Sequence, residues 1–205
     1  MDLTHHFLLS MPTLANSWFD KSITYIFEHS DSGAIGFVIN RHTDMVAGDI
    51  YDQLKVECAD KPLRSAPVFQ GGPVDGERGF ILCGRSIPPD EMLKNALPED
   101  DTLSEPALDT EDHFNFNKQG IGVSSSLEML TDLSAGKGPT PSLLLLGYAG
   151  WAAGQLESEI ANNSWLTCEA TEDIIFHKDS DAKFEMAAKS LGVDFTLLSS
   201  DTGHA

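Results

Sequence analysis

Basic residues are scarce in this chain. Its 205 residues hold 13 Lys+Arg against 32 Asp+Glu, a formal charge of −19 with a pI near 4.4. Neutralising phosphate needs clustered Lys and Arg, so this balance argues against direct nucleic-acid binding and against docking on anionic lipid. Cysteines are few and odd in number: Cys58, Cys83 and Cys168, with no CxxC pair. That spacing supports neither a disulfide framework nor a zinc knuckle, and three reduced thiols in or near the core are expected. Long apolar runs are missing too. The leucine run at 143–146 is far short of the ~20 residues of a membrane span. The opening MDLTHHFLLSMPTL has no basic n-region and only a short apolar stretch, so no signal peptide and no membrane partner are expected, and a cytoplasmic location is. Standard chemical motifs are absent as well: GxGxxG, Walker A, GxSxG, HExxH and the EF-hand loop. No cofactor and no metal site are therefore expected.

What is present suits one globular domain over residues 1–205. The chain is 41% hydrophobic and 22% charged, ordinary for a folded protein, and long enough to bury a full core. The first half reads as β-rich, with strands at 22–29 and 34–40 forming a hairpin around Asp31-Ser32-Gly33. One or two helical turns follow at 48–54, with Ile50 and Leu54 on the apolar side, then strands at 68–70 and 79–83. Residues 90–112 hold nine acids and one base and read as a solvated surface loop, with a short helix at 91–97. A short strand is expected at 120–124. Ser125-x-x-Glu128 forms a capping box for a helix with Leu127, Leu130 and Leu133, ending at Gly136. A buried strand spans 142–146, a helix runs from Gly154 to Asn162, and short strands follow at 165–168 and 174–176. Asp181 caps a last helix carrying Phe184, Ala188 and Leu191, and a strand at 193–198 closes the chain. Hairpins first and mixed elements later give an α+β class.

Two segments carry candidate binding residues. In the first, Gly71, Gly72 and Pro73 open a glycine-rich stretch to Gly76, with Arg78 close behind. It is either a tight connection between strands or a small anion nest of backbone amides. The second is LGYAGWAAGQLESEIANNSWL at 146–166, which concentrates Tyr148, Trp151, Gln155, Glu157, Glu159, Asn163 and Trp165. Aromatics with polar tips and glycines near a helix start suit a binding patch. They equally suit a core where glycine permits close helix–strand packing. Gln155 and Glu157 are expected to form an exposed polar face, dispensable for folding and needed for partner or ligand binding; the alternative is that they brace the turn before the helix. His29 beside Asp31 could serve as a general base, though no nucleophile is visible. His5 and His6, adjacent in an extended segment, point to opposite faces and cannot readily share a metal.

On the blocks HHFLLSMPTL, SITYIFEHSDSGAIGFVIN, VFQGGPVDGERGFIL, GIGVSSSLEMLTDL, LLLLGYAGWAAGQLESEIANNSWL and LGVDFTLLSSDTGHA, the sequence resembles the YqgE/AlgH family of bacterial proteins, the UPF0301 type, over its whole length. The acidic 90–112 stretch departs from that pattern. The resemblance implies bent, coiled β-sheets with packed helices in one domain, and no established enzymatic activity. One branch is named as a regulator of alginate transcription. With −19 charge and no helix-turn-helix pattern, any such role is expected to be indirect, through another protein. The resulting expectation is a non-enzymatic binding or regulatory module with an unidentified protein partner. The alternative is a small-molecule sensor or enzyme whose ligand sits between GGPVDGERG and the GYAGW–GQLE segment.

Overall fold

The computed structural model describes residues 1–84 and 115–193. The acidic loop at 90–112 and the helix at 91–97 lie outside the described residues, as does the final strand beyond Val193. Within them the chain is α+β. In chain order the elements are β1 (His6–Ser10), β2 (Ile23–Ser30), β3 (Gly33–Val38), β4 (His42–Val46), α1 (Ala47–Gln53), α2 (Lys61–Arg64), β5 (Pro67–Gln70) and β6 (Val74–Cys83). They continue with β7 (Asn115–Phe116), β8 (Gly122–Ser124), α3 (Leu127–Ser134), β9 (Ser142–Ala152), α4 (Gln155–Ala161), β10 (Trp165–Glu169), α5 (Glu172–Ile175) and α6 (Ser180–Ser190).

The described strands join one sheet ordered β10-β1-β2-β3-β9-β6-β8-β7, with β5 on β9 and β4 on β5. All pairings are antiparallel except β5 with β9. The β2–β3 hairpin forms as read, with Ser30 opposite Gly33. β9 is the longest strand, and its two halves have different partners. Leu144–Leu146 pair with β5 and β6, whereas Ala149–Ala152 pair with β3. Between them Gly147 adopts φ +70°, a left-handed conformation that costs glycine little. This single residue shifts the alternation of the strand. Leu145 and Tyr148 face one core, while Leu144 and Leu146 before it, and Ala149 and Trp151 after it, face the other side.

That phase shift organises three apolar clusters. The largest unites Phe7, Tyr25, Phe37, Phe80 and Leu145 beneath α5 and α6. On the opposite side, α1 and α3 cover Val68, Ile81 and Leu144. Further along the sheet, α4 covers Leu8, Ile26, Ala34 and Ala149.

Several local readings need correction. β9 runs six residues past the expected 146, so Tyr148 and Trp151 belong to a strand and not to a glycine-rich turn. Likewise β6 begins at Val74, and only Gly71–Pro73 connects it to β5. The expected strand at 174–176 is the end of helix α5. Three apolar residues cannot distinguish the two states, and Glu172 and Asp173 favour a helix start. Ser126, not Ser125, caps α3 by accepting the Met129 N–H, which puts Met129 rather than Glu128 at the third helical position. Asp179, not Asp181, caps α6. Tyr51 is the buried anchor of α1, and Leu54 is exposed; Leu191 likewise ends α6 partly exposed.

Among the described glycines the closest approach is backbone on backbone. A Cβ on Gly72 would lie 1.8 Å from the Tyr148 carbonyl carbon, and one on Gly71 2.4 Å from the Gly147 oxygen. Gly76 has ordinary φ and open space around the same position. Gly72→Ala should therefore cost about 3 kcal/mol or more, while Gly76→Ala stays within about 1 kcal/mol. Denaturant melts of the two variants compare them directly, and equal midpoints would contradict the backbone contact.

Candidate functional site

α4 projects its polar side chains in two directions, and both sets find partners within the same chain. Gln155 at the first helical position accepts the Ala152 N–H (3.1 Å) and donates to Glu159 Oε1 (2.9 Å) one turn on. Glu159 Oε2 accepts both indole N–H groups, from Trp151 at 2.9 Å and Trp165 at 2.8 Å. The two indoles are buried, and Phe19 packs edge-on to Trp165 and stacked with Trp151. One carboxylate thus satisfies two buried donors, one from β9 and one from β10.

Glu157 points elsewhere. Its Oε1 lies 3.0 Å from His29 Nε2, and its carboxyl is held below the usual range, first by its own backbone N–H in the open helix turn and then by His29. His29 Nδ1 accepts the Leu3 N–H at 3.0 Å. With Nδ1 accepting and Nε2 donating, the ring has no free lone pair for a general base, and its partner is Glu157 rather than Asp31. Gln155 and Glu157 thus both bond within the protein while staying open to solvent, Gln155 exposed and the Glu157 side chain 41% exposed.

The glycine-rich segment is also committed to packing. Gly71 N–H donates to Leu146 O and its carbonyl accepts the Val38 N–H, both at 2.7 Å, so that amide is unavailable to an anion. Pro73 is exposed. The Arg78 guanidinium lies 5.2 Å over the Phe80 ring and donates to Ser125 Oγ at 3.4 Å. Tyr148 is half-buried, edge-on to Phe80. Asn163, exposed with φ +55°, links the end of α4 to the start of β10, and its carbonyl accepts the Thr13 hydroxyl. Because Gly72 abuts Tyr148, the two segments touch directly and leave no room for a ligand at that contact.

His5 Nδ1 bonds the Tyr25 hydroxyl, which also accepts Asn117 Nδ2, while His6 Nδ1 bonds the Thr4 carbonyl. Burial pushes the Cys83 thiol up to about 12 and raises Cys168, and Cys58 is half-buried. Among the described residues no three His, Cys, Asp or Glu side chains are grouped to hold a metal ion.

Two features escaped the sequence reading. Lys183 is fully buried on α6, where its Nζ donates to Ile39 O (2.8 Å) and sits 4.8 Å over the Phe69 ring. Long-stemmed lysine on an apolar helix face offers no advance sign that its head is buried. The second is a groove of about 260 Å³ between α1 and the start of α3. Ile50 and Leu54 form one wall, Leu127 and Leu130 the other, and Gly79 and Ile81 lie on its floor. Leu54 and Leu127 at its rim are 48% and 55% exposed. Ser125, the Arg78 partner, also lines it.

Glu159→Ala should strand two buried indole donors and cost roughly 2–3 kcal/mol, visible in melts together with altered tryptophan emission; a neutral result would remove the carboxylate from the fold. For Lys183, burial lowers the folded pKa from 10.5 to about 8. The native state then binds fewer protons than the unfolded chain between those values, so stability rises from pH 8 to 10.5, by roughly 3 kcal/mol for this group. Lys183→Met should lose that rise in pH-dependent melts.

Residues 7–196 match the family model described as AlgH-like. A UPF0301 protein of Nitrosospira multiformis is 38% identical over 205 residues, covering 100% of this chain and 98% of that one. Another from Marinomonas is 41% identical over 200 residues, covering 98% and 95%. The solution structure of the AlgH protein from Pseudomonas aeruginosa superposes with a TM-score of 0.69 at 36% identity, over 100% of this chain and 97% of that one. A crystal structure of a Corynebacterium diphtheriae protein shares the fold at 17% identity and a TM-score of 0.64, over 97% and 92%. With the family model matched over residues 7–196 and relatives about 40% identical along the whole chain, the chain belongs to the AlgH-like family.

Proposed function

We propose that this protein is a non-enzymatic binding module with a regulatory role, which works by holding a partner protein in the cytoplasm. The observation that carries the reading is the groove between α1 and α3, whose rim leaves Leu54 and Leu127 in solvent. Large apolar side chains gathered around a concavity mark interaction sites more often than scattered ones do. Of the residues first considered for binding, Arg78 lies next to this face through Ser125, and Pro73 and Asn163 are exposed elsewhere. Gly71, Gly72, Trp151, Glu159 and Trp165 make the internal contacts above, with Tyr148 packed beside them, while Gln155 and Glu157 bond to the fold from its surface. The net charge of −19 supports a protein rather than DNA as the direct target. No helix among the described residues is long and apolar enough to cross a membrane.

Leu54→Ser with Leu127→Ser tests this proposal. Both side chains are exposed, so stability should stay within about 1 kcal/mol. Affinity purification of the tagged wild type and the double variant from the same cells, with cross-linking, should show a protein retained by the first and lost from the second. Identical profiles would remove this face from the binding role.

A further inference from the structure

We infer that the α1/α3 groove accepts a basic amphipathic helix. This rests on the binding-module reading and names the partner's chemistry. The groove has an apolar wall on each side, and Leu54 and Leu127 face solvent from opposite rims. Its floor includes Gly79, where a Cβ would meet nothing within 4 Å, so a bulky side chain can descend toward the strand. A helix offers the matching ridge, because apolar side chains at i, i+3, i+4 and i+7 lie along one face about one turn apart.

The charge of the surroundings sets the sign of the partner. Asp49 adjoins Ile50, Glu77 lies two residues before Gly79, and Glu128 follows Leu127, all exposed. Of the cations, Lys55 adjoins Leu54 and Arg78 reaches the lining at Phe80 and Ser125, so the three acids outnumber the two bases. The whole chain adds a field of −19, which attracts a basic segment and repels an acidic one. A second copy of this chain would bring the same negative charge and is disfavoured on that ground.

Fluorescence anisotropy with three labelled peptides of about 14 residues, some four helical turns, tests the inference. One places Leu at i, i+3, i+4 and i+7 with Lys elsewhere, one is its scramble, and one substitutes Glu for Lys. The Leu/Lys helix should bind about tenfold tighter than its scramble, lose affinity with added salt, and outcompete the Leu/Glu helix. Gly79→Val fills the floor with a strand-compatible residue, and Leu54→Gln with Leu127→Gln blunts the rim; each should abolish the advantage over the scramble while leaving the melt unchanged. Equal binding of helix and scramble, equal binding of the Leu/Glu helix, or an advantage that survives Gly79→Val would each overturn it. So would a concentration-dependent dimer, in sedimentation, that Gly79→Val dissolves, since that assigns the groove to a second copy. If the serine variants lose a cellular partner while the peptides show no preference, the helix inference falls and the binding-module reading stands.

Discussion

The strand β9 cannot move far from the Gly71–Gly72 connection, because there the two backbones meet with no side chain between them. Gly71 donates to Leu146 and accepts from Val38, so three strands converge on two residues that lack a Cβ. The left-handed Gly147 sits at the same crossing, with Gly72 and Val74 carbonyls within 2.7 Å of where its Cβ would be. From this crossing follow the change of partners along β9 and its change of facing. Two clusters on one side of the sheet and the large core on the other depend on that one-residue shift. A side chain at the crossing would separate the halves of the sheet or force the shift elsewhere.

Around this frame the protein uses polar groups as internal fittings. Glu159 ties β9 to β10 through two indoles, and Glu157 with His29 ties α4 to β2 and, through Leu3, to the N-terminal segment. Lys183 fastens α6 to the carbonyl of Ile39 just past β3. An unmatched buried donor costs more than a matched one returns, so such groups are held to one arrangement. The same economy limits the chemical freedom of the Glu159 carboxylate, which two indole N–H groups engage at once. The groove at α1 and α3 differs, since its apolar rim has nothing inside the described chain to cover it.

Strand alternation made SITYIFEH and the hairpin after it legible, and the structure turns Ile23, Tyr25 and Phe27 to the main core. The helices at α3, α4 and α6 were legible from apolar spacing, although their caps shifted by one or two residues where several Ser or Asp compete for the position. The second half of β9 was not legible. Its glycines at 147 and 150 read as turn residues, and only the partner strand β3 shows that they extend the ladder.

The sequence alone determined the α+β class, and it set the expectations drawn from an acidic composition and from cysteines without pairing spacing. These depend on composition and local periodicity, which need no knowledge of what lies across space. The tertiary structure alone decided the roles of particular side chains. Whether Gln155, Glu157 and Glu159 face solvent or the interior depends on where Ala152, His29, Trp151 and Trp165 stand. Whether Leu54 and Leu127 are covered depends on the separation of two helices 73 residues apart in the chain. Local pattern states that a side chain is apolar or charged; only packing states what it touches.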